Sequence, residues 1–404
     1  MRIVVGLSVC AVALASSACS SGGGGGGNSG GGAGGFPSGP VVECQAGDND
    51  LAAASGPGLT VFQLDPLPLL HPVTVLGQNA MESDPINLCV PADAVSMVLY
   101  PDPDQEALAS SYVGSGLGEI VDASNLNALL RVEAPDLMLP KGPEVQLVPG
   151  HHSFKIAGAS AQVQPFLAIR RGARGASSHY AANLVLVDGC GIDDSNIQAF
   201  ADAGGLFDQL YAQVGIEVSS VGVGFIHDPS LAVLPDSEEA KLSQATVESS
   251  PNLPMLPDAI NFYFVRELKS DDAAGTLLGH AMGIPGVPAL AKRGGVTLSV
   301  DAHRNGPNLD FGALWITAAH EGGHWHGLRH PTERDGAVQD LIADTSECPP
   351  SRDVNHDGYV DSVECAGMGS DNLMFWTYDF ATPPSKLTPG QGFALASALL
   401  MSPQ

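Results

Sequence analysis

The sequence predicts a mixed α/β (α+β) domain in its second half, preceded by a small all-β sandwich. Three features carry that prediction. Short apolar runs separated by turn residues fill 41–174, the spacing of antiparallel strands. From Ala182 the order changes to strand, helix and further strands, which marks a mixed sheet with helices packed on it. A helix-forming stretch then carries "TAAHEGGHWHGLRHPTE", Thr317 to Glu333, with four of the chain's 12 histidines inside eleven residues.

The chain opens with Arg2, an apolar run from Ile3 to Leu14 and small residues to Ala18. Residues 1–18 are expected to be an export signal, too short to span a membrane. Cys19 after Ala18 resembles a bacterial lipobox, although Ser16 stands where such a motif usually has Leu. The resemblance implies lipidation of Cys19; cleavage after Ser16-Ser17-Ala18 by an ordinary signal peptidase would instead give a freely secreted protein. Residues 19–40 are a glycine-rich coil with a reach of roughly 25 Å, enough to hold a domain off a membrane. Ser20 is not the residue linked to inner-membrane retention. The expected location is the outer membrane or cell surface, with membrane contact through the lipid anchor only.

Asp+Glu total 44 against 17 Lys+Arg, a formal charge of −27, while 44% of residues are hydrophobic. Such a surface repels phosphate backbones and excludes nucleic acid as a partner, but it suits cations. The composition fits a globular protein, and a monomer is expected. Without Cys10 and Cys19, five cysteines remain: Cys44, Cys89, Cys190, Cys348 and Cys365. Export favours disulfides. Cys348–Cys365 is the best pair on proximity and Cys44–Cys89 is compatible with it, but sequence leaves the pairing open.

Within 41–174 the expected strands are "LTVFQL", "VTVLGQ", "INLCV", "AVSMVLY", "EVQLV", "HSFKIAG" and "QVQPFLAIR", with "RRGARGASSHY" as the closing linker. In 182–404, "ANLVLVD" reads as a buried strand. "DSNIQAFADAGGLFDQLYAQVG" reads as a helix, from Ile197, Phe200, Leu206, Phe207 and Leu210, capped by Asp194 or Ser195 and ended by Gly215. "IEVSSVGVGFI", "AINFYFVREL" and "GVTLSVDA" are further strands, and "GTLLGHAMGIPGVPALAKRGG" reads as a long loop. Asp310 is the N-cap of the histidine-bearing helix. Gly322 and Gly323 inside it each cost about 1 kcal/mol relative to Ala, which close approach of another backbone would explain. Pro389 starts a short terminal helix.

His320 and His324, four apart, lie on one helix face and can converge on one ion. Gly327 permits the left-handed backbone that ends the helix, and His330 returns as a third ligand. Three protein ligands leave a fourth zinc position open, the mark of a catalytic site. Glu321, beside the first ligand, suits a general base acting on water at such a site. His326 falls outside the spacing, and His151, His152 and His280 show none.

The string His320-Glu321-x-x-His324-x-x-Gly327-x-x-His330 resembles the metzincin motif of zinc metallopeptidases. "DLIADTSECP" before "GSDNLMFWTYD", and "LTPGQ" after it, look most like the pappalysin-type branch. The resemblance covers about Ala182 to Met401 and implies a Met-turn at Met374. Where several metzincins carry a tyrosine two residues after that Met, this chain has Trp376, with Tyr378 two further on. The implied activity is zinc-dependent endopeptidase action on protein or peptide substrates.

"DVNHDGYVDSVE", 353–364, matches the EF-hand loop pattern for Ca²⁺. Asp353, Asn355 and Asp357 occupy positions 1, 3 and 5, and Gly358 the sharp turn; Tyr359, Asp361 and Glu364 follow at 7, 9 and 12. Pro349 and Pro350 leave no entering helix, so a structural role is expected. A Cys348–Cys365 bridge closing a loop of this size contributes about 3 kcal/mol in the chain-entropy model. The competing reading is a catalytically silent, calcium-dependent binding or adhesion lipoprotein.

Overall fold

The computed structural model describes residues 39–51, 58–75, 78–101, 107–121, 136–175, 177–270, 277–287, 294–377 and 382–403. The leader, Cys19, nearly all of the glycine-rich linker and Tyr378 lie outside the described residues. The fold is mixed α/β, rich in sheet with few helices. No helix among the described residues is long and apolar enough to cross a membrane.

In the first half, strands Asn49–Asp50, Ile86–Val90, Gly150–Gly158, Gln78–Glu82 and His71–Val75 hydrogen-bond in that order. Ala107–Gly114 and Gly118–Val121 complete a seven-stranded sheet. A four-stranded sheet runs Leu137–Leu139, Ala94–Tyr100, Phe166–Arg171, Gly58–Gln63. Side chains of both sheets meet in one core, with Leu88, Phe154 and Ile156 from the first and Met97, Leu99, Leu167 and Ile169 from the second. Alternation along a strand sends Val98, Tyr100 and Ala168 to the opposite face, where they join the core of the second half. The unbroken apolar run of "AVSMVLY" thus reflects burial on both faces. "EVQLV" forms only an isolated bridge, Gly142 with Val145, rather than a strand. Cys44–Cys89 and Cys348–Cys365 are bonded, and Cys190 is a buried free thiol.

One buried pair in this half makes a pH prediction. His152 is wholly buried; its Nε2–H donates to the Val148 carbonyl at 2.7 Å, so Nδ1 accepts from the Tyr112 hydroxyl. Burial holds its pKa down to about 4, with His151 adding to the fall and the Val148 bond opposing it. The unfolded chain takes up this proton near pH 6.5 and the fold resists until about 4. The contribution is therefore complete above pH 6.5 and lost as pH falls toward 4, a linkage of about 3 kcal/mol. Melting temperature against pH should fall less steeply across that window in His152→Gln than in the wild type; parallel curves would contradict the assignment.

The second half is a seven-stranded mixed sheet, ordered Glu248–Ser249, Ile216–Ile226, Ser178–Val187, Ile260–Val265, Gly295–Ser299, Gly279–Ala281, with Ser402–Pro403 also on Ser178–Val187. The central pairings are parallel, and Gly279–Ala281 runs antiparallel against Gly295–Ser299. That edge strand lies inside the stretch expected to be all loop. The strand expected from Ala182 begins at Ser178, which shortens the linker. The helix expected over 194–215 is two, Ile197–Ala203 and Gly205–Ala212. At the Gly204–Gly205 break the Gly204 amide turns to Ala201 O, 3.1 Å, and the Phe200 carbonyl accepts the Trp315 indole N–H at 2.9 Å. Neither Asp194 nor Ser195 caps it; Asn196 holds that position.

Candidate metal centre

The helix Phe311–Trp325 starts where sequence placed it, with the Asp310 carboxylate accepting the Ala313 amide at 2.9 Å. It ends in the paired bonds of a glycine C-cap: Leu328 N to Gly323 O, 2.9 Å, and Gly327 N to His324 O, 2.8 Å. Gly327 has φ +101°, which only glycine adopts without strain. A Cβ there would also stand 2.3 Å from Met138 Sδ. This reversal brings His330 back against the helix.

His320, His324 and His330 converge, with their ligand atoms within 4.8 Å of one another. Each ring is fixed through Nδ1. His320 Nδ1 bonds the Leu373 carbonyl at 2.7 Å, His324 Nδ1 the Leu328 carbonyl at 2.9 Å, and His330 Nδ1 the Glu333 carboxylate at 3.0 Å. A nitrogen facing a carbonyl must donate, so the first two rings present an Nε2 lone pair when neutral. Burial first, and then neighbouring His320, hold the His324 pKa well below its ordinary value, the neutral form a metal requires. His324 Nε2 and His330 Nε2 are 3.0 Å apart. Tetrahedral zinc at 2.0–2.1 Å places ligand nitrogens about 3.3 Å apart. Two lone pairs at this range repel unless a cation or proton lies between them, so the donor set fits a divalent ion. Anchoring of the far nitrogen is the usual outer support of a metal histidine.

The helix glycines have an answer different from the expected backbone approach. A Cβ at Gly323 would be 2.5 Å from Met374 Sδ, and one at Gly322 would be 3.0 Å from the Tyr211 hydroxyl and 3.3 Å from Phe262. Side chains, not backbone, occupy that space. Met374 is wholly buried, and its turn is built by Asn372, whose side chain accepts the Met374 amide at 2.9 Å. The Asn372 and Gln391 amides bond each other reciprocally, at 2.9 and 3.1 Å. Gln391 also completes the capping box of the terminal helix Pro389–Ser397 with Thr388. The Leu373 carbonyl that orients His320 is therefore held by the terminal helix. Trp376, at the position of interest after Met374, gives its indole N–H to the Val360 carbonyl, 2.7 Å.

Glu321 lies against the edge strand Gly279–Ala281, whose Ala281 amide donates to it. Burial pushes its carboxyl pKa up, aided by Glu239 and opposed by His320, His280 and the Ala281 amide. His326 is fully buried against Tyr180, ring centroids 4.7 Å apart, and is no part of the cluster. The sequence reading missed Glu333, which an i, i+3 relation to His330 could have flagged, and Glu239, for which no local signal existed.

In the acidic loop, Gly358 has φ +89°, as its turn position requires. The Asp353 oxygens accept the Asp357 and Gly358 amides at 3.2 and 3.0 Å. Glu364 reaches across to the amides of Val354, Asn355 and Asp361. Asn355 and Asp357 accept the amides of Asp357 and Tyr359, both at 2.9 Å. Asp361 accepts those of Val363 and Glu364. The histidines remain the one grouping of three or more His, Cys, Asp or Glu ligand atoms this close among the described residues. The loop carboxylates are spread over the amides they cap. Cys348, Cys365, Val360 and Phe375 form a small core that joins this loop to the Met374 turn.

No protein-family model matches the chain, and no curated protein matches it. The site therefore stands on its own geometry.

Proposed function

We propose that this chain is a zinc-dependent metalloendopeptidase with a metzincin-like catalytic domain of the pappalysin type, behind a β-sandwich accessory domain in an exported bacterial lipoprotein. The observation that carries the reading is the convergence of three histidines, each fixed through Nδ1, with Glu321 on the same helix. His320, His324 and His330 would hold zinc, which when bound would supply Lewis acidity toward a peptide carbonyl and make water more acidic. Glu321 takes the proton of the attacking water and returns it to the leaving amine, so no acyl-enzyme forms. Met374, packed on Gly323, holds the helix at the level of His320 and His324. The deciding experiment is metal stoichiometry measured alongside cleavage of casein and a diverse peptide library. A zinc-loaded wild type that cleaves nothing would leave the calcium-dependent binding lipoprotein in its place.

Calcium in the 353–364 loop is part of the same proposal, supported by the complete ligand pattern, the Gly358 turn and the adjoining disulfide. Binding one calcium at a hundredfold excess over its Kd should stabilise the chain by about 2.7 kcal/mol. Chelation should lower the melting temperature before zinc is lost. Asp353→Ala with Glu364→Ala should abolish that response. A calcium titration that leaves wild-type melting unmoved would remove calcium from the reading.

A further inference from the structure

Glu239 is a buried titratable group that the chemistry above does not use. Its side chain is 5% exposed, and one oxygen bonds His280 Nδ1 while the other, Oε1, has no partner. A carboxylate taken out of water for one partner is a costly arrangement, and breaking such a pair costs more still. The His280 side chain is half exposed, and the part of it taken from water works against its protonation. The Glu239 carboxylate outweighs this, with Glu321 and Asp236 adding, and the imidazole pKa rises to about 9.

His280 is the middle residue of the edge strand Gly279–Ala281, which is paired on one side only, to Gly295–Ser299. Both its neighbours touch Glu321. The Ala281 amide donates to the carboxylate, and a Cβ at Gly279 would be 2.8 Å from Glu321 Cγ. Three consecutive residues thus bracket Glu321 and tie it to Glu239. A second contact runs between the same two segments, since the Ser243 hydroxyl approaches Met282 Sδ at 3.8 Å. Ser243 belongs to the helix Ala240–Gln244, which follows Glu239 directly.

We propose that Glu239 and His280 are positioning residues that latch the edge strand onto Glu321 and so fix the carboxylate that acts as base. The proposal rests on Glu321 having that role. An edge strand with one sheet neighbour has few backbone constraints of its own, and the latch supplies another through the His280 side chain. Neither residue touches the metal ligand atoms or belongs to the motif, and 41 positions separate them in sequence.

Glu239→Gln keeps the side-chain shape and removes the charge. With zinc content and melting temperature near wild type, kcat for peptide cleavage should fall about 10- to 100-fold and KM should stay within about twofold. In a Glu321→Ala background the same substitution should add no further loss, because the latch acts through Glu321. Hydrogen exchange of the peptide covering Gly279–Ala281 should accelerate in Glu239→Gln, in the metal-free protein as well as the zinc-loaded one. If Glu239→Gln does not fold, the pair Glu239→Gln/His280→Gln replaces the ion pair by neutral amides and is read in the same way. Unchanged kcat, or a loss that adds in full to that of Glu321→Ala, or unchanged exchange, would each overturn the latch. The exchange arm needs no activity, so a wild type without cleavage would end the peptidase reading while the latch is still decided.

Discussion

Glu321→Ala will lower peptide cleavage by at least about 10²-fold and leave the zinc content near one per chain. The residue contributes no atom to the histidine cluster, and its loss disturbs none of the bonds that aim the three rings, to Leu373, Leu328 and Glu333. His324→Ala or His330→Ala will behave differently. Each takes away a ligand and leaves two imidazoles, so metal and activity should fall together. A general folding defect would lower the melting temperature in both classes and cannot mimic a variant that is loaded with zinc and inactive. Metal analysis and initial rates on the same preparations check this. A Glu321→Ala protein cleaving within threefold of the wild type would remove Glu321 from the mechanism.

The parts of this site that were legible in sequence are those with fixed local spacing. His320, His324 and Gly327 sit where helix geometry and a glycine C-cap must put them, and Asp310 caps the helix as its side chain allows. Proximity favoured the Cys348–Cys365 bond, while the choice of Cys89 over Cys190 as the partner of Cys44 was not decided by the sequence. What was not legible depends on tertiary partners. Three apolar-poor residues, Gly279–Ala281, carry no strand signal of their own and extend the sheet only because Gly295–Ser299 lies beside them. The double glycine in the long helix announced a close approach, but not that Met374, Tyr211 and Phe262 make it. His280 looked idle because its partner Glu239 lies on another element.

Residues 178–404 expressed without the preceding sheets will fail to give a cooperatively folding, metal-holding protein. The expected boundary near 174–182 is crossed by the main core, which takes in Val98, Tyr100, Met138 and Ala168 with Leu59, Val61 and Phe166 packed around them. Met138 Sδ fills the space over Gly327 at the turn that returns His330. Tyr100 reaches the Gly286 carbonyl at 3.4 Å, and Gly286 in turn packs under Trp325 and donates its amide to the Trp325 carbonyl at 2.8 Å. Arg170, 4% exposed, donates to the backbone carbonyls of Met401 and of Ala396, the latter at 2.7 Å. Removing 41–174 uncovers the apolar partners of all these groups and leaves two terminal carbonyls unpaired in what was interior. Each large apolar side chain so exposed costs about 1.5–3 kcal/mol, and four or five of them approach the whole net stability of a domain, about 5–15 kcal/mol. Thermal melts and metal content of the 178–404 fragment beside the full chain test this. A fragment that melts within a few degrees of the full chain with zinc bound would show that the first half only covers the second.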